Sequence, residues 1–191
     1  MRLPQLLIAA AFLCLMTDAH AQDADPIPAM AMQCAACHGA SGVPAISNAP
    51  VLWGQTEGYI YLQLKDFKSH ARASPIMSGL AGPLSRENMF ALAKYFTAKP
   101  WPNLAQPSAP ADMARTAMTA NGSIGCTGCH GANYQGNSTI PRLAGQKQAY
   151  LLESMQAFRT GSRANNPGMS DLMKATPEDS LVAMATYLAG L

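Results

Sequence analysis

The sequence predicts an all-α protein built from two tandem copies of one small helical bundle. Three observations carry that expectation: an internal repeat, apolar residues at helical spacing in both halves, and no sustained apolar–polar alternation of the kind that makes a strand. The repeat is the most informative. At an offset of 92, Cys34, Cys37, His38 and Gly39 map onto Cys126, Cys129, His130 and Gly131. At 91, Gly54-Gln55, Tyr59, Phe67 and Arg72 map onto Gly145-Gln146, Tyr150, Phe158 and Arg163. The offset returns to 92 for Met77 onto Met169 and Tyr95 onto Tyr187. One single-residue gap, opened and later closed, accounts for the whole series, which marks a duplication.

The chain opens on a secretory pattern over residues 1–21. Arg2 supplies a positive start, Leu6 to Met16 an apolar stretch too short to span a bilayer, and Ala19-His20-Ala21 a cleavage site of small residues. Cleavage there leaves 170 residues beginning at Gln22 and removes Cys14, the only cysteine outside the repeated motifs. The destination is then an oxidising compartment outside the cytoplasm, the periplasm for a bacterial chain.

Each copy next presents Cys-x-x-Cys-His, the signature of covalent c-type haem attachment. The spacing follows from the chemistry. On a helical turn, positions i, i+3 and i+4 share a face, so one short segment offers two thiols to the porphyrin vinyl groups and an imidazole to the iron. Zinc sites and thioredoxin-like thiols also use Cys-x-x-Cys, but two matches with His in fifth place and Gly in sixth point to two covalent haem c groups. Cys34, Cys37, Cys126 and Cys129 are the expected attachment points, with His38 and His130 as iron ligands. No cysteine then remains for a disulfide.

The following segments read as helices. Tyr59, Leu62, Leu64 and Phe67 sit near helical spacing, as do Tyr150, Leu151, Met155 and Phe158. Ser85 with Glu87 and Asn88, and Thr176-Pro177-Glu178-Asp179, look like caps opening final helices over Asn88 to Ala98 and Ser180 to Leu191. Between the halves, four prolines from Pro100 to Pro110 exclude a helix and predict an extended connector over residues 101–111. Domain 1 is expected over 22–100 and domain 2 over 112–191. With fewer than 90 residues each, a core without its haem is marginal, so the haem-free chain is expected to fold poorly.

Among the methionines, Met89, Met155 and Met184 suit core packing. Met77 and Met169 differ. They lie in Pro75-Ile-Met-Ser-Gly-Leu80 and Pro167-Gly-Met-Ser-Asp-Leu172, both read as loops, and each stands 39 residues after its motif histidine. They are the expected sixth ligands, and Met opposite His suits electron transfer. His70, whose repeat partner is Gly161, reads as a surface residue. Arg72 and Arg163 are candidates for contacts to the haem propionates, and Trp53 and Trp101 for packing.

Together these residues resemble the bacterial dihaem cytochromes c4: CxxCHG, a Gly-Gln-x-x-x-Tyr region, a helix ending near an Arg, a loop Met and a final helix with a Tyr. The resemblance covers nearly the whole mature chain. It implies two tandem class I cytochrome c domains, each a small helical bundle around its haem, with His38/Met77 and His130/Met169 as axial pairs. It also implies periplasmic electron transfer, from a cytochrome bc complex to a haem–copper oxidase, with room for peripheral contact with membrane complexes. One departure is Asp25-Pro26-Ile27-Pro28, where the family runs a helix; the first helix of domain 1 is expected to be shortened.

Charge is balanced. Residues 22–100 and 101–191 each carry six Lys/Arg and five Asp/Glu, which gives no basic patch for nucleic acid and only weak long-range steering of partners. With no spare cysteine and no acid–base pair, the chain reads as an electron carrier and not an enzyme. The alternative is the cytochrome subunit of a larger dehydrogenase, such as a flavocytochrome c sulfide dehydrogenase. A dihaem peroxidase, a thiosulfate dehydrogenase or a haem-based gas sensor would need an iron position that the two methionines are expected to fill.

Overall fold

The computed structural model of the chain describes residues 26–191; the expected leader and Cys14 lie outside them. All regular elements among the described residues are α-helices, apart from one isolated antiparallel bridge between Asn137 and Ile140. The first half contains α1 (Pro26–His38), α2 (Glu57–Lys68), α3 (Pro75–Ala81) and α4 (Arg86–Thr97). The second contains α5 (Ala111–Ile124), α6 (Cys126–His130), α7 (Gln148–Thr160), α8 (Pro167–Ala175) and α9 (Glu178–Ala189).

The duplication survives in the packing. The same crossings recur in both halves: α4 packs on α1 and α2, and α3 on α2; α9 packs on α5 and α7, and α8 on α7. Each set encloses its own core. Ile27, Ala31, Ile60, Leu92, Ala93 and Phe96 are buried together in the first, while Ala117, Leu151, Phe158, Leu181, Met184 and Leu188 anchor the second. Small residues at the crossings, Ala93 and Ala117, have no exposed surface, which lets the helices approach closely. Met89, Met155 and Met184 are core residues as their spacing suggested.

Local chemistry shapes three of these elements. α1 is described from Pro26, and Pro26 and Pro28 stand in its first turn, where no intrahelical N–H is required. α1 then runs unbroken into the Cys-x-x-Cys-His motif. In the second half Gly125, at φ 80°, ends α5 and sets the motif on its own short turn, α6. The final helix of the second half starts at Glu178 rather than Ser180, with Pro177 as N-cap. Thr176 instead caps the end of α8 and donates its hydroxyl to Leu172 O. The Ser85 cap of α4 forms as read, its side chain accepting from Asn88 N.

Residues 101–110 are extended and are laid against the second half. Arg142 stacks over the Trp101 ring at 4.4 Å, and Gln106 donates to Gln146 O and Ala189 O while accepting from Gln148 N. Trp53 packs on the first core, close over Gly42.

Candidate haem centres and the seam between them

The two motif histidines are held alike. His38 Nδ1 lies 2.8 Å from Pro50 O, and His130 Nδ1 lies 2.9 Å from Pro141 O. A carbonyl can only accept, so Nδ1 carries the proton, and Nε2 is the nitrogen left to ligate a metal. Both rings are buried, 9% and 6% exposed, and burial holds both pKa values below the ordinary imidazole range despite the backbone acceptor. Cys34 and Cys37 stand on α1 and Cys126 and Cys129 on α6, and none of the four is joined in a disulfide. Among the described residues no group of three or more His, Cys, Asp or Glu comes together as a metal cage. Directly after each histidine, Gly39 and Gly131 turn the chain at φ 83° and 84°.

Met77 and Met169 do not lie in loops. Each is the third residue of a short helix, α3 or α8, that opens with Pro75 or Pro167. The residue before each proline caps the helix: the Ser74 side chain accepts from Met77 N at 3.3 Å and Asn166 from Met169 N at 3.1 Å. Pro in a first turn is preorganised for helix, so the Pro/Ser/Gly composition marks a capped start. Both methionines are half-buried, each pinned through its own backbone.

Arg72 and Arg163 are brought together at the seam between the halves. Both guanidiniums donate to Gln63 Oε1, at 2.8 and 3.1 Å. Each also crosses to the other half: Arg72 to the Tyr150 hydroxyl and Arg163 to the Tyr59 hydroxyl, both at 3.2 Å. The two phenol oxygens stand 3.5 Å apart. Asp66 joins the cluster through Asn165, whose Nδ2 donates to its carboxylate at 2.7 Å and to Gln63 Oε1 at 3.2 Å. Burial would raise the Tyr150 phenol, but the guanidiniums of Arg72 and Arg163 pull it down to about 7. Burial and the adjoining Tyr150 phenol push the Tyr59 phenol the other way, up. Two guanidiniums meeting at one amide oxygen are donors that carboxylates of a bound cofactor would fit.

Comparison with known proteins agrees with this architecture. The cytochrome c family model matches residues 111–190. Over 172 residues the chain is 36% identical to the thiosulfate dehydrogenase electron acceptor of Stutzerimonas stutzeri (strain A1501), covering 84% of this chain and 80% of that protein. It is 33% identical to cytochrome c4 of Azotobacter vinelandii, over 83% and 84% of the two chains. The structure of Acidithiobacillus ferrooxidans cytochrome c4 superposes with a TM-score of 0.76 at 30% identity, over 84% of this chain and 99% of that one. The chain belongs to the dihaem cytochrome c4 family. Like other members of that family, it is a pair of tandem class I cytochrome c domains that carries covalently bound haem c and transfers electrons. It is not an enzyme in its own right.

For a cytochrome c4 fold, the single-residue reading of the sequence missed how many residues act across the seam. Tyr59 and Tyr150 stood out as repeated and helical, yet they are polar partners of the opposite domain. Gln55 and Gln146 belong with them. The available signal was repetition of a polar residue inside a segment that otherwise buries apolar ones. His70 is exposed and adopts φ 61°, the left-handed turn that Gly161 makes in the other copy at φ 79°. It is a turn residue.

Proposed function

We propose that the chain is a periplasmic electron shuttle whose first haem is attached to Cys34 and Cys37 and ligated by His38 and Met77. Cys126, Cys129, His130 and Met169 serve the second in the same way. The leader over residues 1–21 directs export, domain 1 spans 22–100, the connector 101–111 and domain 2 112–191. Each bound haem supplies a one-electron ferric/ferrous couple, and Met opposite His keeps that couple at high potential. The protein's own part is positioning. The Pro50 and Pro141 carbonyls fix the ring tautomer, Ser74 and Asn166 hold the methionine backbones, and Arg72 and Arg163 neutralise propionates where the two domains meet.

The observation that carries this reading is the pair of buried histidines, each tied at Nδ1 to a proline carbonyl in equivalent places. A spectroscopic redox titration of the purified protein tests it. The expected result is two low-spin, high-potential steps and the weak ferric band of methionine ligation; a high-spin or low-potential haem overturns the ligand set for that domain.

The respiratory assignment places a cytochrome bc complex as donor and a haem–copper oxidase as acceptor. A second reading has its own support, because the relative from Stutzerimonas stutzeri is named a thiosulfate dehydrogenase electron acceptor. In that case a dehydrogenase is the donor. Stopped-flow reduction by each purified donor separates the two readings, the physiological one being faster at equal concentration.

A further inference from the structure

Two glutamines cross the seam in a reciprocal pattern. Val51 N donates to Gln146 Oε1 at 2.8 Å, and Gln146 Nε2 donates back to Val51 O at 3.2 Å. In the mirror arrangement, Arg142 N donates to Gln55 Oε1 at 2.7 Å and Gln55 Nε2 donates to Arg142 O at 3.0 Å. Gln55 and Gln146 are 3% and 2% exposed. The residues they grip are not arbitrary. The Val51 N–H and the Pro50 carbonyl belong to one peptide group, as do the Arg142 N–H and the Pro141 carbonyl. Those two carbonyls are the acceptors of His38 Nδ1 and His130 Nδ1.

We infer that Gln146 and Gln55 are positioning residues for the axial histidine of the opposite domain, each acting through a single shared peptide group. The inference rests on the proposed ligation by His38 and His130. An acceptor at a peptide N–H polarises that group and makes its carbonyl a stronger acceptor in turn. A stronger acceptor at Nδ1 raises imidazole basicity and so favours the ferric iron. Gln146 therefore lowers the potential of the domain 1 haem, and Gln55 that of the domain 2 haem. Each domain sets part of the other's driving force without touching its haem.

The test uses the full-length holoprotein with Met169→His as background. That change replaces the thioether of domain 2 by an imidazole, lowers the domain 2 step, and so labels which step belongs to which haem. Adding Gln146→Met is expected to raise the high step, that of domain 1, and to leave the low step in place. Gln55→Met is expected to raise only the low step. Weakening one bond of a chain by roughly 10–30% gives a change of about threefold in the ferrous/ferric ratio at fixed potential, close to 30 mV at about 59 mV per tenfold. A shift in the domain that carries the substituted glutamine, an equal shift in both, or none overturns the inference, because a structural role alone would loosen both domains. If Gln146→Met fails to mature, Gln146→Glu is read instead. Its carboxylate is a stronger acceptor and lowers the domain 1 step more than the domain 2 step, whereas an equal drop, the mark of a bare charge, overturns the inference. If Met169→His lowers neither step, the Met169 assignment has failed, but Gln146→Met and Gln55→Met still decide the inference: each must move one step and not the other, and equal movement of both overturns it.

Discussion

Gly39→Ala and Gly131→Ala are the same change at repeat-equivalent positions, and the structure assigns them different costs. Both glycines follow the motif histidine at positive φ, 83° and 84°. An alanine there carries about 1–2 kcal/mol of backbone strain. The surroundings then separate the two. A Cβ on Gly39 would stand 1.8 Å from Val43 O and 2.6 Å from its carbonyl carbon. Those are backbone atoms in a tight loop held by Gly42 N to Gly39 O at 3.2 Å and Ala45 N to Cys37 O at 2.9 Å. Relieving the clash breaks both bonds, at about 1 kcal/mol each, for a total of about 3–4 kcal/mol. A Cβ on Gly131 first meets the end of the Gln135 side chain, at 3.0 Å. That side chain can swing away at the cost of the bond that Asn133 N donates to its Oε1, for a total of about 2–3 kcal/mol. Guanidinium unfolding of the two holoproteins, followed by far-ultraviolet circular dichroism, measures the difference. Gly39→Ala should also give the lower yield of haem-bound protein. Equal destabilisation, or a larger loss for Gly131→Ala, would refute the reasoning.

Other outcomes follow from burial and ligation. Leu181→Ala empties a site that is 1% exposed in the second core and should cost about 2–5 kcal/mol, read as a lowered denaturation midpoint. Met77→Ala and Met169→Ala should each open one iron, so the reduced protein binds one equivalent of carbon monoxide where the parent binds none, as a titration of the Soret band records.

What could be read from the sequence was what the duplication repeats within each copy. The Cys-x-x-Cys-His motifs, the helices around Tyr59 and Tyr150, and the Ser85 cap depend on neighbours a few residues apart, and local spacing records such relations. Proline and serine around Met77 and Met169 were misleading because the same composition serves a loop and a capped helix start; only the Ser74 and Asn166 bonds tell them apart. The seam was the least legible part. Gln55 reaches Arg142 and Gln146 reaches Val51, contacts 87 and 95 residues apart, and no local pattern encodes a partner at that distance. Arg72 and Arg163 were noticed singly, while their meeting at Gln63 required the fold.

The connector has a consequence for how strongly the two domains need to attract one another. Tied down by Trp101 and Gln106, it leaves little slack, so each domain meets the other at an effective concentration in the millimolar range or above. A seam held by exchanged hydrogen bonds can then stay closed even with a modest intrinsic affinity. A single peptide cleavage between Ser108 and Ala111 would abolish that advantage without removing one contact. The nicked halves should part on dilution to micromolar concentration, each keeping its own core but losing the partner that completes its buried polar groups.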